Sequence, residues 1–147
     1  MNRFVQQFEK SFKLAEQRKW DKIYVLVDIH ETCVKPTWSE NLDSEFYDSC
    51  KEALQLMTEN ENVCLILWSS GFPEMNKKYS SYFGENGIKF DYINENPECP
   101  SNSYADFGMK FYFNVGLDDK MGFIPELDWI DLYIYFLNKK TFMELKK

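Results

Sequence analysis

Histidine is nearly missing from this 147-residue chain: His30 is the single one. Cysteine is sparse as well, and Cys33, Cys50, Cys64 and Cys99 form no CxxC pair. A structural zinc site needs about four nitrogen or sulfur ligands at close spacing, so zinc is excluded. The four thiols are expected to be free and buried. Long apolar runs are absent too: Val63–Trp68 and Leu132–Leu137 are the longest, at about six residues, where a membrane-spanning helix needs ~20. The opening Met1-Asn2-Arg3-Phe4-Val5-Gln6-Gln7 lacks the apolar core of a secretory signal, which sets the expected location as cytoplasmic. Positive charge is in deficit, with 17 Lys+Arg against 24 Asp+Glu and a net charge of −7. Sequence-independent binding to a nucleic-acid backbone needs clustered Lys and Arg, and the charge argues against it.

What the chain has is aromatic and aliphatic mass. Four Trp, nine Tyr and thirteen Phe sit in a composition that is 44% apolar and 28% charged, that of one globular domain. Phe4, Phe8, Phe12 and Ala15 recur at helical spacing and predict an amphipathic N-terminal helix within residues 1–19. Ile23–Val27 and Val63–Trp68 are wholly apolar and β-branched, as strands buried on both faces of a parallel sheet are. Between them, Phe46, Cys50, Ala53, Leu54 and Met57 mark one face of a helix. A third helix carries Met75, Tyr79, Tyr82 and Phe83 and is expected to stop at Gly84. Ile88, Phe90 and Tyr92 alternate with polar residues and predict a strand near a sheet edge. Residues 94–110 read as an irregular loop, Phe111–Leu117 as a strand, and Leu127, Ile130, Ile134 and Leu137 as a last helix entered through Pro125. Strands separated by helices predict an α/β fold: a mostly parallel sheet with helices on both faces.

Ligands of such folds sit beyond the carboxyl ends of the strands. The first strand ends in Asp28, followed by His30, Glu31 and Thr32. The second ends in Ser69-Ser70-Gly71. The last is preceded by Lys110 and ends in Asp118-Asp119-Lys120. Carboxylates gathered at one rim repel each other and call for a cation. Mg²⁺ is the natural one, a hard ion held by carboxylates, water and phosphate oxygens. A hydroxyl and a lysine suit a phosphoryl group, and a carboxylate facing it can act as nucleophile.

These residues resemble the haloacid dehalogenase-like (HAD) phosphohydrolase superfamily, whose pattern is hhhhDxDx[T/V], a Ser or Thr closing the second strand, a Lys, and paired acids closing a later strand. The matching stretches are Val25-Leu26-Val27-Asp28-Ile29-His30-Glu31-Thr32, Leu65-Ile66-Leu67-Trp68-Ser69, Lys110 and Gly116-Leu117-Asp118-Asp119-Lys120. The resemblance spans about residues 20–143 and is nearest to small capless bacterial and phage members; residues 20–147 would form the HAD-like domain, with the N-terminal helix outside it. It implies a Rossmann-like three-layer αβα sandwich. The segment Glu31–Asp43 is too short for a large cap, which implies an open site. Asp28 would be nucleophile and Mg²⁺ ligand, His30 would lend its carbonyl to the metal and its side chain as acid/base, and Asp118, with Asp119 beside it, would complete the metal site. Ser69, Ser70 and Lys110 would hold the phosphoryl group, with Lys120 a second lysine in reach.

The chain departs from the pattern at His30, where the family carries a second Asp. That residue protonates the leaving alkoxide and then activates water, tasks within reach of an imidazole. Two functions follow from the resemblance. One is a Mg²⁺-dependent phosphomonoester hydrolase working through an aspartyl-phosphate, on a phosphorylated small molecule or terminus. The other is a degenerate HAD-like domain that binds metal, phosphate or a partner without turnover. A second departure is the absence of an Arg soon after Ser69. Thr32 is expected to make a local turn bond beneath the nucleophile loop, Glu31 to be a loop residue, and Trp38 and Trp68 to pack in the core or at the rim rather than flank a substrate.

Overall fold

The computed structural model describes residues 1–146. Helix α1, Arg3–Arg18, is capped by Asn2, whose side-chain oxygen accepts from the N–H groups of Phe4 and Val5, and it ends where Lys19 turns left-handed. It turns Val5, Phe8 and Ala15 inward, the spacing that predicts it. Strand β1, Ile23–Val27, pairs in parallel with β2, Val63–Leu67, in the register Val25↔Leu65. On its other side β1 pairs in parallel with β4, Val115–Leu117, in the register Val25↔Val115. The two-residue β3, Tyr92–Ile93, lies beyond β2. The sheet therefore runs β3-β2-β1-β4, all parallel, with β1 at its centre.

Three helices complete the chain: α2, Cys50–Glu59; α3, Pro73–Glu85; and α4, Pro125–Leu145. Phe8 of α1, Leu54 of α2, Phe83 of α3 and Trp129 of α4 share one buried cluster with Val25, Val27, Leu65, Leu67, Val115 and Leu117 of the sheet. On the opposite face Leu26, Cys64 and Ile66 are covered by Phe111 and Phe113 of the long segment between β3 and β4. Both faces are thus closed, which explains why β1 and β2 carry no polar residue. The architecture is α/β and Rossmann-like in three layers, with no large cap, as expected; its third layer is supplied by an irregular aromatic segment. Among the described residues no helix is long and apolar enough to cross a membrane.

Element boundaries differ from the periodicity in instructive places. Phe46 sits before α2, bridged to Val34, and its ring stacks on Tyr82; it is apolar because it covers α3, not because it is helical. β3 is reduced to two residues, with Ile88 and Phe90 packed in the helix-side core ahead of it, and β4 starts at Val115, because Phe111 and Phe113 lie over the sheet instead of in it. α3 passes through Gly84, and α4 runs on past Leu137 to Leu145. The four cysteines are free; Cys33, Cys50 and Cys64 are buried, whereas Cys99 is part-exposed.

Candidate metal and phosphate site

Parallel pairing brings the carboxyl ends of β1 and β4 side by side, and the backbone N–H of Asp28 donates to the Leu117 carbonyl at 3.0 Å. Asp28 follows β1 directly and Asp118 follows β4. One carboxylate oxygen from each of Asp28, Asp118 and Asp119 lies within 4.8 Å of the others. Among the described residues, no lysine or arginine forms an ion pair with any of the three. Burial first, and the Asp118 charge second, push the Asp28 carboxyl up to about 7. Asp118 is also held above its ordinary value, chiefly by burial and further by Asp119, while the Lys120 N–H and charge pull it back. Clustered oxygen donors with raised proton affinity suit a hard divalent cation. The donor set fits Mg²⁺.

Thr32 ties the two strand ends together. Its fully buried hydroxyl lies 3.0 Å from Asp28 Oδ2 and 3.2 Å from Asp119 Oδ1, and it accepts from the Asp119 N–H at 3.0 Å. The expected local turn contact is present, to Asp28 four residues back, and the same hydroxyl adds a cross-strand contact to Asp119. Cys33 donates its thiol to the Asp28 carbonyl at 3.2 Å, so successive residues of one tight turn grip the loop that follows β1. Glu31 stands in that turn with a φ of 60°, a loop residue as expected.

His30 is half-exposed, and its Nδ1 lies 2.9 Å from Asp43 Oδ2. Burial raises the Asp43 carboxyl, but hydrogen bonds from the Thr37 hydroxyl and amide and from His30 outweigh it, so the net shift is downward. An ionised carboxylate only accepts, so His30 donates from Nδ1 to Asp43, and Nε2 is the ring nitrogen that Asp43 does not engage. The edge of the ring arrangement is completed by Tyr79, 5.2 Å away and perpendicular, whose hydroxyl accepts from the Asp43 N–H.

Ser69 closes β2 as expected. Its N–H donates to Asn94 Oδ1 at 2.9 Å, its carbonyl accepts from Asn94 Nδ2 at 2.7 Å, and its Oγ accepts from the Gly71 N–H at 3.0 Å. Gly71 has no room for a side chain: a Cβ would sit 2.9 Å from Asn76 Oδ1. Ser70 is exposed beside it. Lys110 is exposed on the segment leading to β4, and no hydrogen bond or ion pair ties it to the carboxylates. Lys120 is exposed one residue beyond Asp119. Trp68 packs edge-on against Phe111, the packing role expected of it, whereas Trp38 is 86% exposed.

Asp43, Asn94, Asn76 and Trp129 were beyond reach of motif reasoning. Each acts through tertiary contact with a residue 5 to 97 positions away, and a lone Asn or Asp in a loop carries no signal of that. No family model and no curated protein matches the chain. A solved structure does: a conserved protein of Bacteroides thetaiotaomicron, 25% identical, superposes with a TM-score of 0.60 over 86% of this chain and 98% of that one. That similarity supports the fold and leaves the chemistry to the residues themselves.

Proposed function

We propose that this protein is a HAD-like, Mg²⁺-dependent phosphomonoester hydrolase of the cytoplasm that works through a phosphoryl group carried on Asp28. The observation that carries the reading is the convergence of Asp28, Asp118 and Asp119 on one point, at the strand ends where an α/β fold binds ligands. Asp28, the His30 carbonyl and Asp118, with Asp119 adjacent, would hold the metal. Bound there, Mg²⁺ would neutralise the carboxylates and the charge developing on the phosphoryl oxygens.

The residues divide the remaining work. Thr32 engages Asp28 Oδ2, so the other carboxylate oxygen, Oδ1, is the one presented to phosphorus. Its attack forms an Oδ1–P bond and breaks the bond to the leaving alkoxide. The Ser69 hydroxyl and a lysine, Lys110 or Lys120, bind the phosphoryl oxygens, with the Ser70 backbone and side chain at the same loop. His30, held by Asp43 through Nδ1, enters as the imidazolium and gives its Nε2 proton to the alkoxide. Nε2, then neutral, takes a proton from the water that attacks phosphorus, which releases phosphate and regenerates Asp28.

Steady-state release of phosphate from a panel of nucleotides, sugar phosphates and phosphorylated ends, with and without Mg²⁺, tests the reading. Turnover that needs Mg²⁺ and vanishes in Asp28→Asn is expected. Metal binding with no turnover on any substrate would instead select the degenerate binding domain.

A further inference from the structure

Two asparagine side chains from different elements grip the turn that follows β2. Asn94 is the first residue after β3, and its N–H donates to the Leu67 carbonyl at 2.8 Å. Its φ of 54° is left-handed, a conformation that asparagine adopts more readily than most residues. From there its side-chain amide takes both backbone groups of Ser69, accepting the N–H at 2.9 Å and donating to the carbonyl at 2.7 Å. On the other flank Asn76 of α3 donates Nδ2 to the Gly71 carbonyl at 3.1 Å. Asn76 is 4% exposed, and its Oδ1 has no partner. A buried orphan acceptor is unfavourable, and turning the amide over would only set oxygen against the Gly71 carbonyl. Asn76 thus holds Gly71 at a cost in stability.

The donors left over define what the turn can bind. Ser69 Oγ accepts from the Gly71 N–H at 3.0 Å, which leaves the hydroxyl its own proton to give. The Ser70 N–H donates to no described residue. The backbone groups of Ser69 and Gly71 are therefore all committed, while two neighbouring donors, the Ser69 hydroxyl and the Ser70 N–H, stay available. We propose that Asn94 and Asn76 are positioning residues that hold this turn in its phosphoryl-binding shape before the ligand arrives. A turn ordered in advance has less freedom to lose on binding. This rests on the phosphoryl role given to Ser69 above. The carboxylates stand on β1 and β4 instead, so the asparagines should govern the anion and not the metal.

Calorimetric titration of the full chain, first with Mg²⁺ and then with vanadate at saturating Mg²⁺, separates the two. Asn94→Gly permits the left-handed backbone and removes the clamp on Ser69. Asn76→Ala removes the hold on Gly71 together with the orphaned oxygen. Each should weaken vanadate binding roughly tenfold or more, the scale on which residues that orient a binding group act, and leave Mg²⁺ affinity unchanged. In the wild type, the Ser69 amide should exchange its hydrogen slowly with or without vanadate, and the Ser70 amide resonance should move when vanadate is added. Vanadate affinity unchanged in both variants overturns the proposal, and so does an equal loss of Mg²⁺ and vanadate binding. A wild-type Ser69 amide that exchanges freely until vanadate is added also overturns it, because the ligand would then be ordering the turn. A wild type that binds Mg²⁺ but no vanadate overturns it together with the phosphatase reading, whereas the other failures leave that reading standing.

Discussion

The indole N–H of Trp129 donates to the carbonyl of Thr32 at 2.6 Å, across 97 residues of sequence. Both residues are fully buried, and the Thr32 side chain contacts Asp28 and Asp119 from the same turn. A core tryptophan thus holds the base of the carboxylate cluster.

Trp129→Phe keeps an aromatic ring in the core but leaves the Thr32 carbonyl without a donor. An orphaned buried acceptor costs about 1–3 kcal/mol, and the lost ring volume adds to it. Urea unfolding should show a lower midpoint with an unchanged slope. An unchanged midpoint would mean that water replaces the indole without penalty.

Metal binding should stabilise the folded chain, because it favours the native state alone. At a Mg²⁺ concentration about a hundred times Kd, the gain is about 2.7 kcal/mol, visible as a rise in Tm. Asp118→Asn should abolish most of the rise. A full response in that variant would remove Asp118 from the metal site.

Without metal, the Asp28 carboxyl lies near 7, raised by burial and by Asp118. Its folded value exceeds its unfolded one, so the folded state binds the proton more tightly. That contribution is complete below about pH 4 and is lost as pH rises to about 7. Solvent screening at this part-exposed group limits the loss to about 1–2 kcal/mol. In EDTA, Tm should therefore fall between pH 4 and 7 and level off above it. Asp28→Asn should flatten that slope and be the more stable protein at pH 8. An equal slope in both proteins would place the titration elsewhere.

The chemistry at His30 should depend on the leaving group. His30→Ala is expected to lower turnover roughly 10²–10⁴-fold on alkyl phosphates, the reach of a positioned acid/base, and far less on activated aryl phosphates, which need no protonation. Asp43→Asn should reproduce part of the loss, since its amide can hold the other ring tautomer and turn Nε2 into a donor-only position. As the chain has one histidine, its imidazole resonances report the tautomer directly. Equal alkyl-phosphate turnover in wild type and His30→Ala would remove the imidazole from the mechanism.

Beryllofluoride or vanadate binding should require Mg²⁺ and be lost in Asp28→Ala. Lys110→Ala should weaken it more than Lys120→Ala if the family-like lysine is used. The reverse order would assign the phosphoryl contact to Lys120, whose backbone already bonds Asp118.

What sequence could reveal divided along physical lines. Val25-Leu26-Val27 and Leu65-Ile66-Leu67 are apolar on both faces, so their strand character and the strand-end position of Asp28 and Ser69 were legible without coordinates. The edges were not. Phe46, Phe111 and Phe113 are apolar because they cover other elements, and periodicity cannot separate a residue in a strand from one lying over it. The bond from His30 to Asp43, and the brace of Asn94 on Ser69, depend on loop closure in three dimensions. No spacing encodes them.

β1 lies at the centre of the sheet, yet its partner β4 is synthesised about ninety residues later. Emergence from the ribosome therefore sets the order in which competence appears. A nascent chain that has displayed β1, β2 and three of its helices still has only one of the three carboxylates. Neither Asp118 nor the Trp129 buttress exists until translation is almost complete. An arrested or truncated product lacking that last stretch would carry Asp28 and its turn but not the carboxylate cluster that Asp118 and Asp119 complete.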